Sequence, residues 1–264
     1  MVILITGTTS GFGRAMAVQL NSDGHKVYGT YRRDSPQIPG VNYLKADVQN
    51  QESLKSAVNR VIEQEGRIDT VISNAGMGIG GPLEFTSIDD AQRQMDVNFM
   101  GMVRLLNLVV PIMRRQHHGH IICISSIGGL MGLPYQGMYS ASKFAIEGYC
   151  EALRLEVRQF GIKVTVINPG DFFTGFTAAR TKNLPSDATT AYPGYSESMA
   201  SIENDERSGL QPEYLARRIS KIVRKRNPRN RYIIATFLQK SSVILKAMLP
   251  AKWYDRILAS YYHL

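Results

Sequence analysis

Apolar and polar positions along this chain follow two rhythms that take turns. Short apolar runs rich in β-branched residues, "VILIT" (2–6), "KVYGTY" (26–31), "VNYL" (41–44), "DTVIS" (69–73), "HIICIS" (120–125) and "KVTVIN" (163–168), read as strands. Between them apolar positions recur every three or four residues, which predicts helices over about 11–23, 51–65, 87–116 and 137–156. Strand, helix, strand requires crossover connections, so the strands lie parallel with helices on both faces. The fold class is therefore α/β, a doubly wound parallel sheet in three αβα layers.

The pattern breaks over residues 171–210, a stretch rich in Thr, Ser, Asn and Gly with interspersed aromatics. A loop this long in a compact domain is usually functional, and it is read as a substrate lid with short helical pieces. After it, Leu215, Ile219, Ile222 and Val223 repeat at helical spacing and leave Arg217, Arg218, Lys221, Arg224 and Lys225 on the wet face. A good part of the +9 formal charge excess lies in this stretch and reads as a solvated helix face, the alternative being an anionic partner such as a cofactor phosphate, lipid headgroups or nucleic acid. The last segment, about 236–262, predicts two helices broken at Pro250. This C-terminal extension has three places to dock: the core, another subunit, or, as a peripheral contact of a basic region, a membrane surface.

With 264 residues, 44% of them hydrophobic, the chain suits one domain over 1–264. It has no run of eighteen apolar residues, and "MVILITG" lacks a basic leader, so the first element is expected at residue 1. Two cysteines in apolar surroundings, Cys123 and Cys150, point to reduced core thiols and a cytoplasmic setting. No metal is expected.

"ITGTTSGFGRA" sets Gly7, Gly11 and Gly13 between the first strand and the first helix. Glycine permits the tight turn and close backbone approach, and the helix N-terminus offers free N–H groups to an anion. The anion expected is a dinucleotide pyrophosphate, with Thr9, Ser10 and Phe12 in the same turn. A P-loop is excluded because no lysine follows the last glycine. At the end of the second strand, where a carboxylate would hold an unmodified ribose, Tyr31 stands instead and Arg32 and Arg33 follow. Two guanidiniums suit a 2′-phosphate, which favours NADP(H) over NAD(H). Asp47, with its neighbour Val48, is a candidate for the adenine edge.

Tyr139 and Lys143 lie four apart and so share a helix face, with small residues leaving both unobstructed. A lone Tyr-x-x-x-Lys is expected by chance in a chain with 13 tyrosines. Its company raises its weight: Ser125 and Ser126 close the preceding strand, at the sheet edge where the glycine turn also opens.

In order and spacing, "TGTTSGFG" (6–13), "SNAG" (73–76), "VN" (97–98), "SS" (125–126), "YSASK" (139–143) and "PG" (169–170) resemble the motifs of the short-chain dehydrogenase/reductases. The resemblance spans about residues 1–235 and implies a Rossmann-type domain that binds NAD(P) and interconverts alcohols and carbonyls. It implies a catalytic tetrad of Asn98, Ser126, Tyr139 and Lys143, with Tyr139 as proton donor and Ser126 polarising the carbonyl. Lys143 would also hold the nicotinamide ribose, and Asn98 would anchor a proton-returning water. Asn74, Ala75 and Gly76 would line the adenosine side; Pro169, Gly170 and Thr174 would flank the nicotinamide. Ser73 and Phe12 depart from the usual residues without touching the reacting atoms.

A phenol brought from about 10 to about 7 needs roughly 4 kcal/mol. An ammonium about 5 Å away, at an effective dielectric of about 20, supplies roughly 3. Lys143 is therefore expected to draw Tyr139 downward, with oxidised cofactor adding the rest. Met131, Tyr135, Phe172 and Phe173 are expected in the substrate pocket, which favours an apolar small-molecule ketone or secondary alcohol. The resemblance suggests a steroid-, retinoid- or lipid-like substrate and a homodimer or homotetramer. The alternative from another class is a non-catalytic NADP(H)-binding regulator of the same fold.

Overall fold

The computed structural model describes residues 1–35, 38–182 and 188–264. In chain order the elements are β1 (Val2–Ile5), α1 (Gly11–Ser22), β2 (Lys26–Tyr31), β3 (Asn42–Lys45), α2 (Gln51–Glu65), β4 (Thr70–Ser73), α3 (Ile88–Met95), α4 (Gly101–Gln116), β5 (Gly119–Ile124) and α5 (Gly137–Val157). They continue with β6 (Ile162–Pro169), α6 (Phe176–Ala179), α7 (Ala188–Ala191), α8 (Tyr195–Arg207), α9 (Pro212–Val223), β7 (Arg231–Ile234), α10 (Phe237–Met248) and α11 (Ala251–Tyr261). The strands form one sheet in the order β3-β2-β1-β4-β5-β6-β7, every pair parallel. The order reverses between β1 and β4, and the chain leaves both strands at the same sheet edge.

Parallel strands covered on both faces must be apolar throughout, and β1 and β5 are buried at every residue. Successive side chains point to opposite faces. Leu4, Val71, Ile121 and Val164 pack with Leu54 and Val58 of α2, Leu105 and Val109 of α4 and Ile146 of α5. Ile3, Ile5, Ile72, Ile122 and Ile167 face the other way, onto Met16 and Leu20 of α1 and Leu215 and Ile219 of α9. The cationic residues of α9 lie on its exposed side, as its periodicity predicts. Helix ends follow their capping residues: Asn50 accepts from Ser53 N at 2.9 Å before α2, and Gly66 closes it at φ +70°.

α3 and α4 join through a π-helical turn at Asp96–Met100 into one continuous run, Ile88–Gln116. That run is long and apolar enough to cross a membrane by composition alone. Here it is a core helix, with Leu105, Leu106, Val109 and Met113 fully buried against the sheet.

Two elements depart from the sequence reading. β7 was absent from the predicted strands: "RYII" is only four residues, half-exposed at the sheet edge and preceded by a basic run. The 171–210 segment holds a longer helix than expected, α8, and its residues 183–187 lie outside the described residues. The C-terminal extension breaks at Pro250 as predicted; Tyr254 packs inward on Ile127 and Met131, while much of its apolar surface stays outside.

Candidate active site

The first wall of the site is the β1–α1 turn. Gly7 and Gly11 adopt φ +71° and +50°, values that strain any side chain. Gly13 serves a different end. A Cβ there would lie 2.0 Å from the Gly7 carbonyl oxygen, so only glycine lets α1 close on the turn, and Gly13 itself does not line the cavity. Thr8 fixes the turn to β2 through its backbone N–H and its hydroxyl, both 2.9 Å from Thr30 O. α1 has no acidic residue in its first turn and no side-chain cap from Ser10. Its N-terminal N–H groups and positive dipole end are left for an anion.

Gly7, Thr9, Ser10, Gly11 and Phe12 line a cavity of about 750 Å³ together with Arg32, Arg33, Asp47, Val48, Asn74, Ala75 and Gly76. Arg32 and Arg33 are exposed at the end of β2. The Asp47 carboxylate accepts from Gln49 N at 3.0 Å, which shapes the loop. The Asn74 amide braces the turn by donating to Thr6 O and Gly7 O at 2.9 and 3.1 Å. Open glycines, an uncommitted helix N-terminus and a pair of exposed arginines fit a dinucleotide phosphate.

The floor is built by β5, the loop after it and α5. Ser126 ends β5's extended chain, and its Oγ accepts from Gly128 N at 3.0 Å. The same hydroxyl hydrogen-bonds the Tyr139 phenol. Lys143, buried one turn further along α5, donates to Ile124 O at 3.0 Å, with Nζ 5.6 Å from the centre of the Tyr139 ring. Ser125 is buried and structural, its hydroxyl turned to Lys143 O at 3.4 Å.

The electrostatics reverse one expectation. Burial pushes the Tyr139 phenol up to about 12, although the Ser126 hydrogen bond pulls the other way. The same burial lowers Lys143 to about 8. Taking either group out of water penalises its charged form, and here that outweighs the attraction between phenolate and ammonium. The lysine therefore does not bring the phenol toward 7 in this state.

Asn98 sits in the π-helical turn and not on the cavity wall. Its Nδ2 donates to Met77 O and to Ser142 Oγ, both at 3.0 Å, and its Oδ1 accepts from Met77 N at 2.8 Å. The side chain is thus engaged in tying the β4 exit to α5 rather than turned toward a water in the cleft. Behind the floor, Asn168 Nδ2 donates to Ser126 O and Glu147 Oε1 at 2.9 and 2.6 Å. Arg231 of β7 pairs with the other Glu147 oxygen at 2.8 Å. This chain of contacts links the last strand to the serine loop.

Pro169, Gly170 and Thr174 line the cavity, and so do Met131 and Phe172. Two expected residues do not. Tyr135, held at φ +56°, packs its ring edge-on against Tyr195 at 5.0 Å, in an aromatic cluster behind the wall. Phe173 points outward and is half exposed, because alternation along an extended chain puts it opposite Phe172.

The cavity also takes in groups that sequence pattern did not single out: Asp171, Asp205 and Glu206, Gln239 of α10, and Tyr254, Ile257 and Tyr261 of α11. Asp171, which directly follows Pro169–Gly170, is raised to about 7 by burial and by the nearby Glu206 and Asp205 carboxylates. Its adjacency to that motif was the one signal available for it.

The family model described as short chain dehydrogenase matches residues 1–185. The chain is 45% identical to a 3-ketodihydrosphingosine reductase of Bacteroides thetaiotaomicron, over 99% of this chain and 97% of that protein. It is 33% identical to retinol dehydrogenase 8 of Bos taurus, over 94% of this chain and 86% of that protein. Among solved structures it is similar to a short chain dehydrogenase/reductase from Burkholderia phymatum in complex with NAD, at a TM-score of 0.80 and 25% identity, covering 94% of this chain and 92% of that one.

Proposed function

The chain belongs to the short-chain dehydrogenase family of oxidoreductases, and from that premise we propose that it reduces a long-chain amino ketone with NADP(H). The observation that carries this reading is the convergence of Ser126, Tyr139 and Lys143 on a cavity with a glycine turn at one end and apolar helices at the other. The cofactor, when bound, supplies the hydride. The α1 N-terminus and Gly7–Gly13 turn hold its pyrophosphate, Arg32 and Arg33 its 2′-phosphate, and Lys143 its nicotinamide ribose.

Negative charge grows on the substrate oxygen during reduction, and Ser126 and Tyr139 donate hydrogen bonds to it. Tyr139 then transfers its proton. A phenol held near 12 is protonated at neutral pH, the state a proton donor requires. Lys143, near 8, keeps most of its charge there. Asn98 acts one layer back, by holding Met77 and Ser142 in place.

Two features support the substrate class. Met131, Phe172 and the inner faces of α10 and α11 offer an apolar channel. Its polar end gathers Asp171, Asp205 and Glu206 against one buried guanidinium, Arg180, which pairs with Glu206. A cationic head relieves that excess of carboxylates; an anionic one aggravates it. 3-Ketodihydrosphingosine, the ketone in the relative's name, carries an amino group beside its carbonyl and a long alkyl chain.

The test is titration with NADPH and NADH, followed by turnover of 3-ketodihydrosphingosine, a steroid ketone and retinal. Tighter NADPH binding with preferred turnover of the amino ketone is expected. Tight NADPH binding without turnover of any compound, unchanged in Tyr139→Phe, would identify the non-catalytic regulator instead.

A further inference from the structure

Half of the large apolar side chains exposed among the described residues belong to the last two helices and the tail after them. They are ordered rather than scattered. On α10, Phe237, Ile244 and Met248 recur at i, i+7 and i+11; on α11, Trp253, Ile257 and Tyr261 recur at i, i+4 and i+8. Each set makes one stripe along its helix. The inward faces are already used: Tyr254 Oη lies 3.1 Å from Met131 Sδ, and Lys246 donates to Leu130 O at 2.6 Å. Of the outward stripes, Tyr261 donates its hydroxyl to Asp205 at 2.7 Å, while Phe237, Ile244, Met248 and Trp253 remain largely exposed.

The charges beside them are mostly cationic. Lys240 follows Phe237 by three positions, Arg256 follows Trp253 by three, and Lys252 precedes it. Such spacing sets each cation on the border of its stripe. Asp255 is the single acidic residue between Thr236 and Leu264. Leu238, Leu245, Ile257 and Tyr261 are both exposed and part of the cavity lining, so the apolar surface runs without a break from the outside to the site.

We propose that α10 and α11 dock in the plane of an anionic lipid bilayer, and that the substrate reaches the cavity from the lipid phase between them. At 12 and 11 residues, the helices are too short to span and suited to lie flat. Apolar stripes enter the headgroup boundary while Lys240, Lys252 and Arg256 meet the lipid phosphates. A second copy is a poorer occupant: two-fold pairing of this face brings six cations together against two Asp255 carboxylates. The docking stands apart from the substrate reading; only the delivery of substrate rests on it.

Trp253 is the only tryptophan and is exposed, so its fluorescence reports on this surface alone. The full chain with NADPH is mixed with phosphatidylcholine vesicles with and without phosphatidylglycerol. Expected are co-sedimentation with the anionic vesicles, a blue shift of Trp253 emission, quenching by brominated acyl chains, and weakening in high salt. The triple variant Phe237→Ser/Ile244→Ser/Met248→Ser loses at least about tenfold in vesicle affinity, while its Tm and NADPH binding stay unchanged. Lys240→Glu/Lys252→Glu/Arg256→Glu removes the preference for phosphatidylglycerol.

An unshifted, unquenched Trp253 with no co-sedimentation overturns the proposal. So does a tryptophan shielded from acrylamide without lipid, in a dimer that the triple variant dissolves. Vesicle binding without turnover of a lipid ketone leaves docking intact and removes the substrate reading. Turnover of a dispersed ketone without vesicle binding does the reverse.

Discussion

Single residues in the site are governed by dehydration more than by their pairing. Lys143 is the clearest case, because its folded value of about 8 lies below the usual 10.5. Between those two pH values the unfolded chain binds the extra proton, so stability rises with pH across the window. Relative to Lys143→Met, the parent protein gains about 3 kcal/mol from pH 8 to 10.5, read by urea unfolding of both proteins. A flat difference between them would show that the ammonium is well solvated. Tyr139→Phe keeps NADPH affinity and lowers turnover about a thousandfold, measured in single-turnover assays. Asp171→Asn raises KM for the amino ketone severalfold and leaves KM for a neutral ketone unchanged, a split that steady-state kinetics resolves.

The residues that spacing picked out best were those whose chemistry demands a particular type at a particular interval. Tyr139 and Lys143 share a helix face, and Gly13 has a backbone carbonyl where its side chain would be. Tyr135 and Phe173 were assigned to the pocket wrongly, because a side chain's direction depends on local φ and strand phase, which composition does not encode. Asn98 was placed in the sequence but not in its contacts, since its partners lie 21 and 44 residues away.

Among elements, β5 and β6 show how a buried polar pair tunes the sheet. Thr165 Oγ1 donates to Arg229 O at 3.1 Å, so it accepts from His120 Nε2 at 3.0 Å and fixes the tautomer of the neutral ring. Burial lowers His120 to about 4. Below the ordinary 6.5 the unfolded chain takes up a proton that the sheet refuses, so stability falls as pH drops from 6.5 toward 4. The loss amounts to about 3 kcal/mol and is reduced in His120→Asn, as denaturant midpoints at pH 7 and pH 4.5 would record. Long, strongly periodic elements were legible in sequence. β7 was not, because four half-exposed residues at an edge carry too little pattern. α10 and α11 were legible as helices, yet their share in the cavity wall emerges only from tertiary docking.

At the scale of the whole molecule, the two halves of the sheet contribute different cavity walls: the glycine turn, Arg32, Arg33 and Asn74–Gly76 come from the β1–β4 half, and Ser126, Tyr139 and Lys143 from β5 and α5. The second half is held from behind by Glu147, which is buried between Asn168 and Arg231. Arg231→Ala leaves that carboxylate without its cation and costs about 2 kcal/mol in chemical denaturation, the arginine being partly exposed. Arg231→Met with Glu147→Gln recovers most of it.

Arg231 stands 84 positions after its partner, on the outermost strand of the sheet. During synthesis the glycine turn and the first four strands emerge and can pair long before that guanidinium leaves the ribosome. The β1–α1 turn can therefore take its shape early in the growing polypeptide, whereas the support behind the Ser126 loop is complete only once residue 231 has emerged.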